Sequence, residues 1–145
     1  MILNLYKPIG WTSFDVVKKV RGITRVKKVG HGGTLDPFAE GVLLIGTGKD
    51  TKSLTEISAQ SKSYTATLTL GSSTDSLDLT GNILEKNLVP QLTDNDIAEV
   101  LTEFLADQEQ IPPMYSAKKI DGVRLYKLAR KNISVERKQI GKASC

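Results

Sequence analysis

An α+β fold is expected for this chain, as a mixed, mostly antiparallel sheet with helices on its outer faces. Three stretches are compatible with that class: the apolar run ILNLY at 2–6, the alternating segment SYTATLTL at 63–70, and a helical repeat of apolar residues from Ile97 to Leu105. The periodicities fit α+β without selecting it, and the selection comes from motifs that these elements carry.

ILNLY is short and apolar enough for a strand, and Lys7-Pro8-Ile9-Gly10 turns the chain out of it. Thr12 then opens a helix, with Asp15 three residues on as its capping partner and Val16, Val17, Val20 and Ile23 as an apolar face. A glycine-rich loop at 30–33 leads to VLLI at 42–45, a buried strand, and a short helix is expected around 50–59. In SYTATLTL, Tyr64, Ala66, Leu68 and Leu70 alternate with threonine or serine, the period of a half-buried strand. Thr93 caps a helix whose Ile97, Val100, Leu101, Phe104 and Leu105 share one face. Pro112 and Pro113 cannot continue it; SAKKI at 116–120 suits a strand, Asp121-Gly122 a turn, and LYKLARK at 125–131 a short amphipathic helix. No repeat, low-complexity linker or boundary interrupts the pattern, so 1–145 is read as one domain.

Composition narrows the function classes. The single cysteine, Cys145, excludes a disulfide framework and a cysteine-built metal site. No run of apolar residues is long enough to span a bilayer and the start lacks an export signal, so a cytoplasmic protein without a membrane partner is expected. Net charge is +4, unevenly placed. Residues 18–28 hold Lys18, Lys19, Arg21, Arg25, Lys27 and Lys28 and no acid, residues 118–142 hold nine basic against two acidic groups, and 72–110 hold nine acids against Lys86. Basic segments flanking an acidic one suit a polyanion on one face, and ordinary solvated helix faces account for the same charges equally well.

The densest cluster of special residues is GHGGTLDPFAEG at 30–41, where the only histidine, His31, precedes Asp36 by five positions. Glycines allow close approach of backbone to a ligand, and Pro37 biases Asp36 away from the helical region. GTGKD at 46–50 lacks the hydroxyl residue and first glycine of a phosphate loop, and GHGGTL lacks the third small residue of a dinucleotide fingerprint. From the residues alone, an Asp-Pro turn of structural purpose and a lone hydrogen-bonded histidine stand beside any catalytic reading.

Four ordered segments then resemble the bacterial TruB family, which isomerises uridine 55 in the T-arm of tRNA: NLYKPIGWTSFDVV, KKVGHGGTLDPFAEGVLLIGTGKDTK, KSYTATLTLGSSTDSLDLTG and QIPPMYSAKKIDGVRLYKLAR. The resemblance implies a pseudouridine-synthase-like α+β fold, a tRNA isomerase with no cofactor and no metal, and a monomer in complete form. Asp36 matches the family's catalytic aspartate, which acts at C6 of uracil or at C1′ of ribose. His31 matches a histidine that meets RNA near the flipped nucleotide, with Gly32 and Gly33 admitting RNA backbone. Tyr64 matches the active-site tyrosine that stacks on the target base, and Lys7 and Pro8 fall in the first motif, where a turn supporting the site is the better reading and Lys7 is a secondary candidate for RNA contact. Lys18, Lys19, Lys27, Lys28 and Lys52 are candidate phosphate contacts, and Asp75 and Asp78 candidate loop supports. The family's motifs continue beyond Arg137, with an arginine that pairs with the catalytic aspartate, whereas KQIGKASC follows here. The chain is therefore expected to be a truncated catalytic domain, inactive or nearly so alone, with a noncatalytic RNA-binding remnant and a misfolded fragment as alternatives.

Overall fold

The computed structural model describes residues 1–105, 109–116, 118–131, 133–137 and 140–141, so most of the KQIGKASC tail lies outside them. The chain divides into two compact units, Met1–Thr65 and Ala66–Cys145.

The first unit is a sheet with one long helix packed on it. Strand β1 (Ile2–Lys7) is followed by α1 (Ser13–Thr24), then β2 (Val29–His31) and β3 (Gly41–Thr47). β3 is central, antiparallel to β1 from Ile2↔Gly46 to Lys7↔Gly41 and to β2 from Val29↔Thr47 to His31↔Ile45. Strand alternation sends Leu3 and Leu5 of β1 and Leu43 and Ile45 of β3 to one face. Val16, Val17 and Val20 of α1, at helical spacing, close over that face with Val29 and Val26 to form the core. The helix begins as its sequence predicts. Thr12 Oγ1 accepts from the Asp15 backbone N–H, and the Asp15 carboxylate accepts from the Thr12 N–H, a complete capping box. A 3₁₀ turn at Gly48–Lys52 and α2 (Leu54–Ser58) replace the single helix expected around 50–59. Leu54 is buried there, against the glycines of β2 and β3.

The second unit consists of local pairs. β4 (Ser72–Thr74) and β5 (Ile83–Lys86) form a hairpin with a register shift at Ser73/Thr74, and α3 (Asp94–Glu103) follows with a second capping box between Thr93 and Asp96. β6 (Glu109–Gln110) pairs with β9 (Ile140–Gly141). β7 (Lys119–Ile120) and β8 (Val123–Arg124) pair around Asp121-Gly122, both at positive φ as a tight two-residue hairpin requires, and α4 (Leu125–Ala129) starts at once. Leu125 is fully buried.

One expectation fails here. Residues 61–70, including SYTATLTL, form no ladder, and every one of them is exposed. Alternation marks a strand only where a neighbour takes up its backbone groups and an apolar layer covers one face. Among the described residues neither is present.

Candidate active site

Asp36 stands on the loop between β2 and β3, and its position follows from what holds that loop. At the entrance, Gly32 N–H donates to Leu44 O at 2.8 Å, and His31 Nδ1 bonds Gly33 O. One residue before Asp36, the Leu35 N–H donates to Ser13 Oγ (3.0 Å), and that hydroxyl donates to Leu35 O (3.3 Å). One residue after, Pro37 O accepts from Gly10 N–H at 2.7 Å. Asp36 O itself accepts from Ala39 N–H at 3.0 Å, closing a turn. The backbone is thus fixed on both sides while the side chain is exposed, with no hydrogen bond or ion pair among the described residues. That arrangement presents a carboxylate on a rigid mount to whatever meets the surface.

Gly10 belongs to a turn that Lys7 holds. The strand period that turns the half-buried Leu3 and Leu5 toward the core also sends Lys7 inward, and Lys7 is fully buried. Its Nζ donates to Pro8 O (3.0 Å) and Trp11 O (2.6 Å), satisfying the ammonium with carbonyls of its own turn. Buried and bonded in this way, Lys7 holds its own turn in this structure and is not exposed to solvent. The chain of contacts runs from Lys7 to the 8–11 turn, through Gly10 to Pro37, and so to Asp36.

The glycines divide the roles expected of them. A Cβ on Gly32 would meet Leu54 Cδ2 at 3.2 Å and Leu44 Cβ at 3.4 Å, so Gly32 is small for internal packing. Gly33, at φ +143°, faces open space and is the position where a ligand backbone could come close. His31, half-buried, sits at the loop entrance. Tyr64 is 63% exposed, in the extended 61–70 segment, without a hydrogen bond among the described residues. Lys18, Lys19, Lys27, Lys28 and Lys52 are all exposed, Lys18 pairing with Asp15 at 3.3 Å. Asp75 and Asp78 support a loop: Asp75 accepts from Asn82 N–H at 2.9 Å and Asp78 from Thr80 N–H at 2.8 Å. Burial alone would push the Asp78 carboxyl up, but hydrogen bonds from Thr80 and Ser76 outweigh it and hold it below its ordinary value.

Sequence reading missed Ser13 and the pair Tyr6–Glu40, whose phenol donates to the carboxylate across the base of the loop. Ser13 could have been found from spacing, since it precedes Val16, Val17 and Val20 by three, four and seven residues on the same buried face. Among the described residues no helix is long and apolar enough to cross a membrane, and no cluster of three or more His, Cys, Asp or Glu is placed to hold a metal ion.

An antiparallel sheet with one helix packed on its face and a Gly-rich loop held between two of its strands places the first unit in the α+β class. The particular family follows from comparison: residues 21–142 match the TruB family pseudouridylate synthase N-terminal domain, and the chain belongs to that family. The match continues past Arg137, where the resemblance was expected to end. Proteins named tRNA pseudouridine synthase B are similar over 94% of this chain: that of Lactococcus lactis subsp. lactis is 50% identical, that of Clostridium acetobutylicum 49% and that of Dehalococcoides mccartyi 51%. The chain spans 42%, 47% and 45% of those proteins, under half the length of each. A crystal structure of a Cbf5–Nop10–Gar1 complex superposes with a TM-score of 0.54 over 81% of this chain and 30% of the matched one, at 28% identity, in agreement with the α+β class.

Proposed function

We propose that this chain carries the aspartate-bearing part of a synthase that converts uridine to pseudouridine in the T-arm of tRNA. The observation that carries the reading is Asp36, an exposed carboxylate on backbone fixed at Leu35 by Ser13 and at Pro37 by Gly10. The reaction breaks the C1′–N1 bond, turns the freed uracil, joins C1′ to C5 and releases the C5 proton. A carboxylate serves by adding to C6 or by assisting departure at C1′, and the uracil ring accepts the developing charge without a cofactor. The target base must first leave its stack. His31 and Gly33, at the entrance of the Asp36 loop, are proposed to meet the RNA there, and Tyr64 to stack on the flipped base. Lys18, Lys19, Lys27, Lys28 and Lys52 supply phosphate contacts. The two units are proposed to belong to one catalytic domain, because the family match runs across both. A cytoplasmic setting follows from tRNA as substrate.

A second reading, a noncatalytic RNA-binding module, is favoured by the absence of any cation paired with Asp36 among the described residues. Tritium release from C5-labelled uridine in a T-arm transcript separates the two when the chain is compared with Asp36→Asn. Release that disappears in the variant supports the synthase. RNA binding of equal strength in both proteins, with no release from either, supports the binding module.

A further inference from the structure

We propose that a depression beside the Asp36 loop binds one unpaired nucleotide of the RNA substrate, its base stacked on Trp11 and its phosphate held by Lys18 and Lys19. This rests on the reading of the chain as RNA-acting and adds to it a subsite that lies outside the loop itself. Gly10, Trp11, Asp15, Lys18 and Lys19 line a shallow depression of about 520 Å³ that is largely open to solvent. Its lip is shared with the candidate active site, because the Gly10 N–H that donates to Pro37 O belongs to both.

The aromatic component is preset. Trp11 is 39% exposed, yet its backbone is pinned by Lys7 Nζ on its carbonyl at 2.6 Å and by its N–H on Pro8 O at 3.4 Å. A flat ring on fixed backbone offers a stacking face at small entropic cost. The charge component is also favourable. Of the two ammonium groups and one carboxylate lining the depression, the carboxylate of Asp15 is engaged by the Thr12 N–H (3.0 Å), the Thr12 hydroxyl (2.6 Å) and Lys18 (3.3 Å). The net local charge is positive, and a base with its phosphate supplies both the π-face and the anion that this combination selects. A bare polyanion would use only the lysines, and a paired duplex would present no free base.

Trp11 is the only tryptophan, so its emission reports this subsite alone. The chain is titrated with a dye-labelled RNA hairpin carrying an unpaired uridine-containing loop, with the same stem as a blunt duplex, and with inorganic polyphosphate. The expected result is quenching by the hairpin that follows the anisotropy of the labelled RNA, and binding of duplex and polyphosphate without quenching. Trp11→Ala should weaken hairpin binding about tenfold, the scale of one lost stacking contact, while Trp11→Phe stays within about threefold and both leave polyphosphate binding unchanged. Saturation by the hairpin with unaltered emission, or equal affinity for Trp11→Ala with native circular dichroism, overturns the subsite and leaves the RNA-acting reading standing. No binding of the hairpin at all overturns both.

Discussion

Ser13 does two things with one hydroxyl, filling a polar position on the buried face of α1 and gripping the backbone before Asp36 from both sides. Ser13→Ala keeps the volume nearly unchanged and removes those bonds, so it should cost about 1 kcal/mol in urea denaturation. Lys7→Met removes the ammonium from the Trp11 carbonyl and leaves the Pro8 carbonyl only the Trp11 N–H, and a loss of about 1–3 kcal/mol is expected by the same measurement. Tyr6 gives a spectroscopic handle on the loop. Its hydrogen bond to Glu40, with smaller contributions from burial and the carboxylate charge, raises its phenol above the ordinary tyrosine value. A raised native value means the contribution to stability is intact below the unfolded value and lost as pH rises through the folded one. Phenolate absorbance should therefore show Tyr6 ionising above the ordinary tyrosine value, and Glu40→Gln should move that ionisation earlier.

At the scale of elements, α1 and α3 share the same start and differ in everything after it. Each opens with a Thr–Asp capping box, but α1 buries three valines and α3 buries nothing. A ten-residue helix without tertiary burial is marginal in water, so the amides of α3 should exchange with solvent well before those of α1. Thr12→Ala and Thr93→Ala should each cost about 1 kcal/mol of the local helix, read by exchange at its first turn. Hydrogen bonds from Thr12 hold the Asp15 carboxyl below its ordinary value, and those from Thr93 do the same for Asp96. For a lowered carboxyl the stabilisation exists above the unfolded value and is lost as pH falls through the native one. Both helices should loosen in acid, and Asp96→Asn should make the first turn of α3 less sensitive to pH in that window, Asp94 remaining as its other acid.

The same elements show what could be read from sequence. β1, α1, β3 and α3 were legible because a short apolar run, a cap three residues before its partner, or a helical repeat carries its own evidence. SYTATLTL was misread because its signal concerns a neighbour and a covering layer that the described residues do not supply. β2 and the β4–β5 hairpin are too short for periodicity to register. In the site, the loop around Asp36 stood out by its glycines, its histidine and its proline. The clamps from Ser13 to Leu35 and from Gly10 to Pro37 join residues 22 and 27 positions apart, which only folding brings together.

For the molecule as a whole, the imbalance is between a small buried core and many exposed apolar side chains. The core of the first unit centres on Ile45, wholly buried, and Ile45→Ala should cost about 2–5 kcal/mol. Ile97, Val100, Leu101 and Phe104 line α3 with exposures of 47%, 52%, 60% and 66%, a face that solvent does not favour. Concentration-dependent association is the expected consequence, measured by sedimentation. Leu101→Lys with Phe104→Lys should reduce it while leaving the denaturation midpoint nearly unchanged, because neither side chain is buried.

Lys7, enclosed beneath the turn that steadies Asp36, also gives the molecule an internal clock. Amine-reactive reagents need an unprotonated nitrogen in contact with solvent, and this ammonium is covered and bound to two carbonyls while Lys18, Lys19, Lys27, Lys28 and Lys52 stand in the open. Acylation of Lys7 therefore waits on the opening of its own turn, and the lag between its labelling and that of the outer lysines, followed by peptide mass spectrometry, times how often the mount beneath Asp36 comes undone.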